Sequence, residues 1–131
     1  MKIKILKVVA CITFTLFGPF LIPTYASSAG DPKVLIQTEL GHIEITSLPG
    51  NAHLTVKHFL ELVEQKHYDG LIFHRVVANF MIQAGGYTSE LEYRDSGKRI
   101  KNESNNGLPN SRGTIAMART SDPNSASAQF Y

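Results

Sequence analysis

Two short runs, Val34-Leu35-Ile36-Gln37-Thr38 and His42-Ile43-Glu44-Ile45-Thr46, flank Glu39-Leu40-Gly41. In the second run Ile43 and Ile45 alternate with His42 and Glu44, the two-residue period of a strand with one buried face. The junction carries a glycine, so the pair predicts a β-hairpin. Such a hairpin is marginal by itself and needs further elements against its apolar face. After the turn material Leu48-Pro49-Gly50-Asn51, the period changes. Val56, Phe59, Leu60, Val63 and His67 fall at i, i+3, i+4, i+7 and i+11, one face of an amphipathic helix over residues 55–67. Thr55 is its expected N-cap, because a hydroxyl there can accept an unpaired backbone N–H. Asp69-Gly70 ends that segment. Leu71–Val77, Phe80–Gln83, Thr114–Ala118 and Gln129-Phe130-Tyr131 read as strands, and residues 87–110 and 120–127 as polar loops. One helix among several strands predicts a mainly β, α+β chain. That fits a closed antiparallel barrel with helices at its ends, although the residues alone do not set the strand number.

The start of the chain has a different character. Met1 to Lys7 holds three lysines, Val8 to Ile22 is apolar and uncharged, and Pro23-Thr24-Tyr25-Ala26 places small residues at the positions a leader peptidase requires. This is the pattern of a secretory signal peptide over residues 1–26, set apart from the fold, with cleavage after Ala26 or Ala29. A transmembrane anchor fits less well: the apolar run falls short of the roughly 20 residues that span a bilayer, and Gly18-Pro19 interrupts it. Cleavage would leave no stable membrane anchor. It would also remove Lys2, Lys4 and Lys7, so the 13 Lys and Arg against 11 Asp and Glu of the whole chain become 10 against 11. No clustered basic charge of the kind nucleic acids require remains. The single cysteine, Cys11, would leave with the leader, so residues 27–131 form no internal disulfide and must rely on their core or on further chain. They suffice for one domain.

The chemistry is concentrated in Phe73-His74-Arg75-Val76 and Phe80-Met81-Ile82-Gln83-Ala84-Gly85-Gly86. A permanent cation stands beside large apolar groups and a neutral amide. Alone, Arg75 could be a surface cation, Phe80 and Met81 core residues, and Gln83 the lead-in to a glycine turn. Gly85-Gly86 lacks the spacing of a phosphate loop. None of the five histidines forms the i, i+4 helical pair of a zinc site, and no cysteine assists, which argues against a metal centre. His74 has no nucleophile or orienting acid at diagnostic spacing. Few reactions suit a lone guanidinium in an apolar setting; twisting a prolyl peptide bond is one.

These runs, with Arg112-Gly113-Thr114-Ile115-Ala116-Met117-Ala118-Arg119 and Ser127-Ala128-Gln129-Phe130-Tyr131, closely resemble the cyclophilin family of peptidyl-prolyl cis–trans isomerases, and most of all its bacterial periplasmic members. The resemblance implies an eight-stranded barrel capped by two helices, no cofactor and no metal. It implies proline-containing polypeptides as substrates, a monomer, a periplasmic location, and a cyclosporin-like inhibitor as a further ligand. It places Arg75 at the catalytic position, and Phe80, Met81, Gln83, Ala118, Gln129 and Tyr131 at substrate-binding positions. Phe80, Met81 and Tyr131 would grip the proline ring, and Gln83 and Gln129 would hold substrate backbone without adding charge. Tyr131 stands where the family usually has Phe, Arg119 where many members have Asn, His53 for a usual Pro and His58 for a usual Asn. The family's later aromatic, leucine and histidine contacts lie past Tyr131. The chain stops inside an expected strand and is therefore read as the N-terminal part of a longer domain. Two other readings follow from the same residues: a chaperone-like module that binds proline segments without turnover, and an inactive truncated product.

The peptide bond is planar because the nitrogen lone pair is delocalised, with a barrier of about 18–20 kcal/mol. When an X–Pro bond twists, the nitrogen pyramidalises and its lone pair becomes an acceptor. A donor aimed there binds the twisted state in preference to the flat one, and that difference lowers the barrier. Arg75 is always charged, rigid and multidentate. One charge-assisted hydrogen bond contributes roughly 1.5–3 kcal/mol, whereas a gain of about 10⁵ in rate needs roughly 7 kcal/mol. The remainder must come from binding and from apolar surroundings, which favour the less dipolar twisted amide.

Overall fold

The computed structural model describes residues 3–11 and 30–131. Seven elements follow in order: β1 (Ile3–Cys11), β2 (Lys33–Thr38), β3 (Gly41–Thr46), α1 (His53–Glu64), β4 (Ile72–Phe73), β5 (Arg75–Val77) and β6 (Met81–Gln83). They build a four-stranded sheet in the order β3-β2-β1-β4 and a two-stranded ribbon, β5-β6. The expected hairpin is present. β2 and β3 pair antiparallel from Lys33↔Thr46 to Thr38↔Gly41, and Gly41 has φ +133, a backbone that a side chain rarely permits. Thr38 closes the tip: its Oγ1 donates to Gly41 O and accepts from Leu40 N.

The inner face of the hairpin supplies Val34, Ile36 and Ile45, and α1 supplies Val56, Phe59, Leu62 and Val63, all buried. Between them lie Tyr68, Leu71, Phe73, Ala84, Ala128 and Phe130, which join the same core. Phe130 is the hub of its aromatic part. Its ring meets Phe59, Tyr68 and Phe73 edge-on at centroid separations of 5.7, 5.5 and 6.4 Å, the geometry that ring quadrupoles favour. Each such side chain buried contributes roughly 1.5–3 kcal/mol.

The helix differs from expectation at both ends. It starts at His53, so Thr55 is its third residue and not its cap. Ala52 occupies the N-cap position with no side-chain acceptor, and Glu103 does the capping from a distant loop: its carboxylate accepts from Leu54 N and Thr55 N at 3.0 and 2.8 Å. At the other end α1 stops at Glu64. Lys66 takes φ +57, and Lys66 N and His67 N bond back to Val63 O and Leu62 O. That is the Schellman stop, with lysine where glycine is usual. His67 therefore lies in the following turn.

The run 71–77 is not one strand. Ile72–Phe73 joins the large sheet, Arg75–Val77 joins the ribbon, and His74 stands between them. Thr114–Ala118 does not form a regular strand either. Its alternate residues still pair with the end of the chain, through Ala116 N to Tyr131 O, Tyr131 N to Ala116 O and Ala118 N to Gln129 O. Residues 3–11, which the sequence reading assigns to a leader outside the fold, form β1. It pairs antiparallel with β2 from Ile5↔Thr38 to Cys11↔Lys33 and with β4 at Ile3↔Phe73 and Lys4↔Ile72. This run supplies the backbone donors and acceptors that the edges of β2 and β4 would otherwise present unpaired. The rest of the expected leader, with both expected cleavage positions, lies outside the described residues. No helix among the described residues is long and apolar enough to cross a membrane. Both sheets are open, and isolated bridges outside the named strands, Ala84↔Phe130 and Met117↔Phe130 among them, tie the end of the chain to the segments beside them.

Candidate active site

The ribbon places the motif residues. β5 and β6 pair as Arg75↔Gln83, Val76↔Ile82 and Val77↔Met81. Directly opposed residues point to the same face and the face alternates along a strand, so Arg75, Val77, Met81 and Gln83 share one side. The ribbon can turn within Ala78-Asn79-Phe80 because Asn79 accepts φ +59, which asparagine tolerates better than most residues; Phe80 N then bonds Val77 O at 3.1 Å. Phe80 stands at this tip, 75% exposed. Arg75 is exposed, and Met81 and Gln83 are half-buried.

A second segment approaches from the chain's end. Ser127 and Ala128 are fastened from behind by the core. His58 Nε2 bonds Ser127 O at 2.8 Å, Ser96 Oγ bonds Ser127 Oγ at 2.6 Å, and the Tyr68 hydroxyl donates to Ala128 O at 3.1 Å. Gln129 follows and reaches the ribbon. Gln83 Nε2 donates to Gln129 Oε1 at 2.8 Å, and Arg75 Nη1 donates to Gln83 Oε1 at 3.4 Å. Arginine can only donate, so the donor direction runs Arg75 to Gln83 to Gln129. Ala118 lies beside Gln129 through the bond from its N–H to Gln129 O. Tyr131 is held in the same way to Ala116, and its hydroxyl accepts from Asn110 Nδ2 at 3.1 Å.

The residues nominated from sequence thus fall into a connected group of Arg75, Gln83, Gln129 and Ala118. Met81 shares the ribbon face, Tyr131 lies two residues further along, and Phe80 projects from the tip. A cavity of about 330 Å³ is lined by residues such as Pro32, Pro49, Val56 and Leu60, none of which belongs to this group. His74, between β4 and β5, packs its ring on Tyr87 at 4.6 Å. Burial, with the neighbouring Arg75 charge, holds its pKa below the ordinary histidine value, against the opposing pull of Ile72 backbone and the Gln129 amide. Among the described residues no three His, Cys, Asp or Glu side chains gather as a metal site.

Sequence reasoning missed Gly86. It is buried, and a Cβ there would lie 2.7–2.8 Å from Nε2, Cδ and Cγ of Gln129. Gly85 is equally closed, with Ala128 O at 2.5 Å from the position of a Cβ, at φ +91. The adjacent glycines were the available signal, but only the tertiary approach of Gln129 distinguishes them from an ordinary turn. His58 was also passed over as an anchor, because its partner lies 69 residues away.

Residues 33–131 match the family described as cyclophilin type peptidyl-prolyl cis-trans isomerase/CLD. The chain is 45% identical over 114 residues to a peptidyl-prolyl cis-trans isomerase of Acinetobacter baylyi, covering 87% of this chain and 60% of that protein. It is 40% identical over 124 residues to peptidyl-prolyl cis-trans isomerase A of Dickeya dadantii, covering 95% and 63%. Against peptidyl-prolyl cis-trans isomerase B of Escherichia coli it is 47% identical over 98 residues, covering 75% and 60%. The chain therefore spans 60–63% of the length of these relatives. With a family match across residues 33–131 and this level of identity, the chain belongs to the cyclophilin-type peptidyl-prolyl cis–trans isomerases.

Proposed function

We propose that the protein catalyses rotation about X–Pro peptide bonds in exported polypeptides and so assists their folding. The observation that carries this reading is the pairing Arg75↔Gln83, with the guanidinium on the same ribbon face as Met81. Arg75 is assigned the donor to the pyramidalising prolyl nitrogen. Phe80, Met81 and Tyr131 are assigned the proline ring, and Gln83, Ala118 and Gln129 the flanking peptide. The whole protein is proposed to form the eight-stranded helix-capped barrel of its family as a monomer, to use no cofactor, and to accept a cyclosporin-like inhibitor. The basic and apolar pattern of residues 1–26 supports export to the periplasm with cleavage after Ala26 or Ala29.

Arg75→Ala tests the assignment. Loss of one charge-assisted donor used only in the twisted state should lower turnover of a proline tetrapeptide roughly 10- to 100-fold. Peptide affinity, measured by titration calorimetry, should stay within about threefold, since the flat ground state barely uses that donor. Unchanged turnover would overturn the role of Arg75. Binding without turnover in the parent chain would favour a peptide-holding module.

A further inference from the structure

Gly86 has no side chain, and the room this leaves is filled by Gln129. The three Gln129 atoms nearest to where a Cβ would stand are Nε2, Cδ and Cγ, at 2.7, 2.8 and 2.8 Å. The φ of Gly86 is not positive, so no left-handed strain bars an alanine, and the atoms nearest to its Cβ would all belong to that amide side chain. Gln129 in this position offers Oε1 to Gln83 Nε2 at 2.8 Å. An amide can present either its oxygen or its NH₂ to a neighbour, and engaging the NH₂ end decides which. With its NH₂ held by Gln129, Gln83 turns its oxygen towards Arg75, where the guanidinium donates at 3.4 Å. A flipped Gln83 would set donor against donor and release the arginine to solvent. From this geometry we infer that Gly86 is a positioning residue: it seats Gln129, which orients Gln83, which directs Arg75. The inference rests on the isomerase reading for its consequence in turnover, but the chain of contacts is measurable without substrate.

The test is a double-mutant cycle on the full chain with Gly86→Ala and Gln129→Ala, read in two ways. The first readout is the side-chain amide resonance of Gln83 in ¹H–¹⁵N spectra. It should move to a free-amide position in Gly86→Ala, in Gln129→Ala and in the double variant alike. The second is turnover of a proline tetrapeptide. Gly86→Ala should lower kcat roughly tenfold, about the worth of one misdirected hydrogen bond to a charge, with KM within about twofold. In the Gln129→Ala background the same glycine change should cost nothing further, since a residue acting through another is silent once that other is removed. Additive losses, or a Gln83 resonance left in place by Gly86→Ala, would overturn the inference while leaving the isomerase reading intact. No turnover in the parent chain would instead remove the isomerase reading, and the resonance arm would still decide for or against the contacts. If Gly86→Ala does not fold, Gln129→Ala, which adds no atoms, must still free the Gln83 amide, and an unmoved signal there counts against the proposal.

Discussion

Tyr68 shows how a single side chain ties the core to the site. Its ring is fully buried between Phe59 and Phe130, and its hydroxyl donates to Ala128 O one residue before Gln129. Burial pushes the phenol pKa up, so the proton stays available to donate at any ordinary pH. Tyr68→Phe keeps the ring packing and removes only the donor, leaving the Ala128 carbonyl unpaired in the core. The expected cost is about 1–2 kcal/mol, visible as a lower urea midpoint at unchanged m-value. Nothing in the local pattern marks this residue, because Tyr68 follows the helix in a turn where no periodicity applies. Arg75 and Gln83 were legible for the opposite reason: both belong to one short contiguous motif. Their donor order was not legible, since it depends on Gln129, 46 residues from Gln83.

Helix α1 illustrates the same division among elements. Its apolar stripe reads directly from Val56, Phe59 and Val63, all buried as the period requires. Its ends do not, because both are set by features outside the pattern: a lysine in a left-handed conformation at Lys66 and a cap supplied by Glu103 across the fold. Thr55, the expected cap, instead donates its hydroxyl to the same carboxylate at 2.8 Å. Burial pushes the Glu103 carboxyl up, but the bonds from Leu54 and Thr55 outweigh it and hold the pKa below the ordinary value. Glu103→Ala should therefore destabilise the chain by about 1 kcal/mol, the usual worth of an N-cap. Glu103→Gln, which retains one acceptor but not the charge beside the helix N-terminus, should lose less. Thermal melts of the two variants check the order, and equal losses would show that the carboxylate's charge and second oxygen carry the whole effect.

For the molecule as a whole, the hairpin, the single helix and the mainly β character were legible, because each follows from local period. The sheet order was not: placing residues 3–11 between β2 and β4 is a matter of which edges are free, which no local pattern records. Neither were the unpartnered ring nitrogens of two histidines, and these have a consequence for the stability of the entire chain. His67 and His74 each hold a buried ring nitrogen with no partner among the described residues, Nε2 and Nδ1 respectively. Burial is the leading cause that keeps both pKa values below the ordinary histidine value. In the unfolded chain both return to about 6.5. Between the lowered folded values and about 6.5 the unfolded state binds more protons, so stability rises with pH across that window. It is complete above the window and is lost as the pH falls through it. Below the folded values both states are protonated, and these histidines cause no further loss. Glu103 adds a separate window, because a depressed carboxyl loses its contribution only as the pH drops below about 4.3. Urea midpoints should accordingly fall between about pH 7.5 and pH 5.5, and the double variant His67→Gln, His74→Gln should flatten that fall while leaving the acid-side loss in place. An equally steep slope in the double variant would move the origin of the pH dependence to other groups.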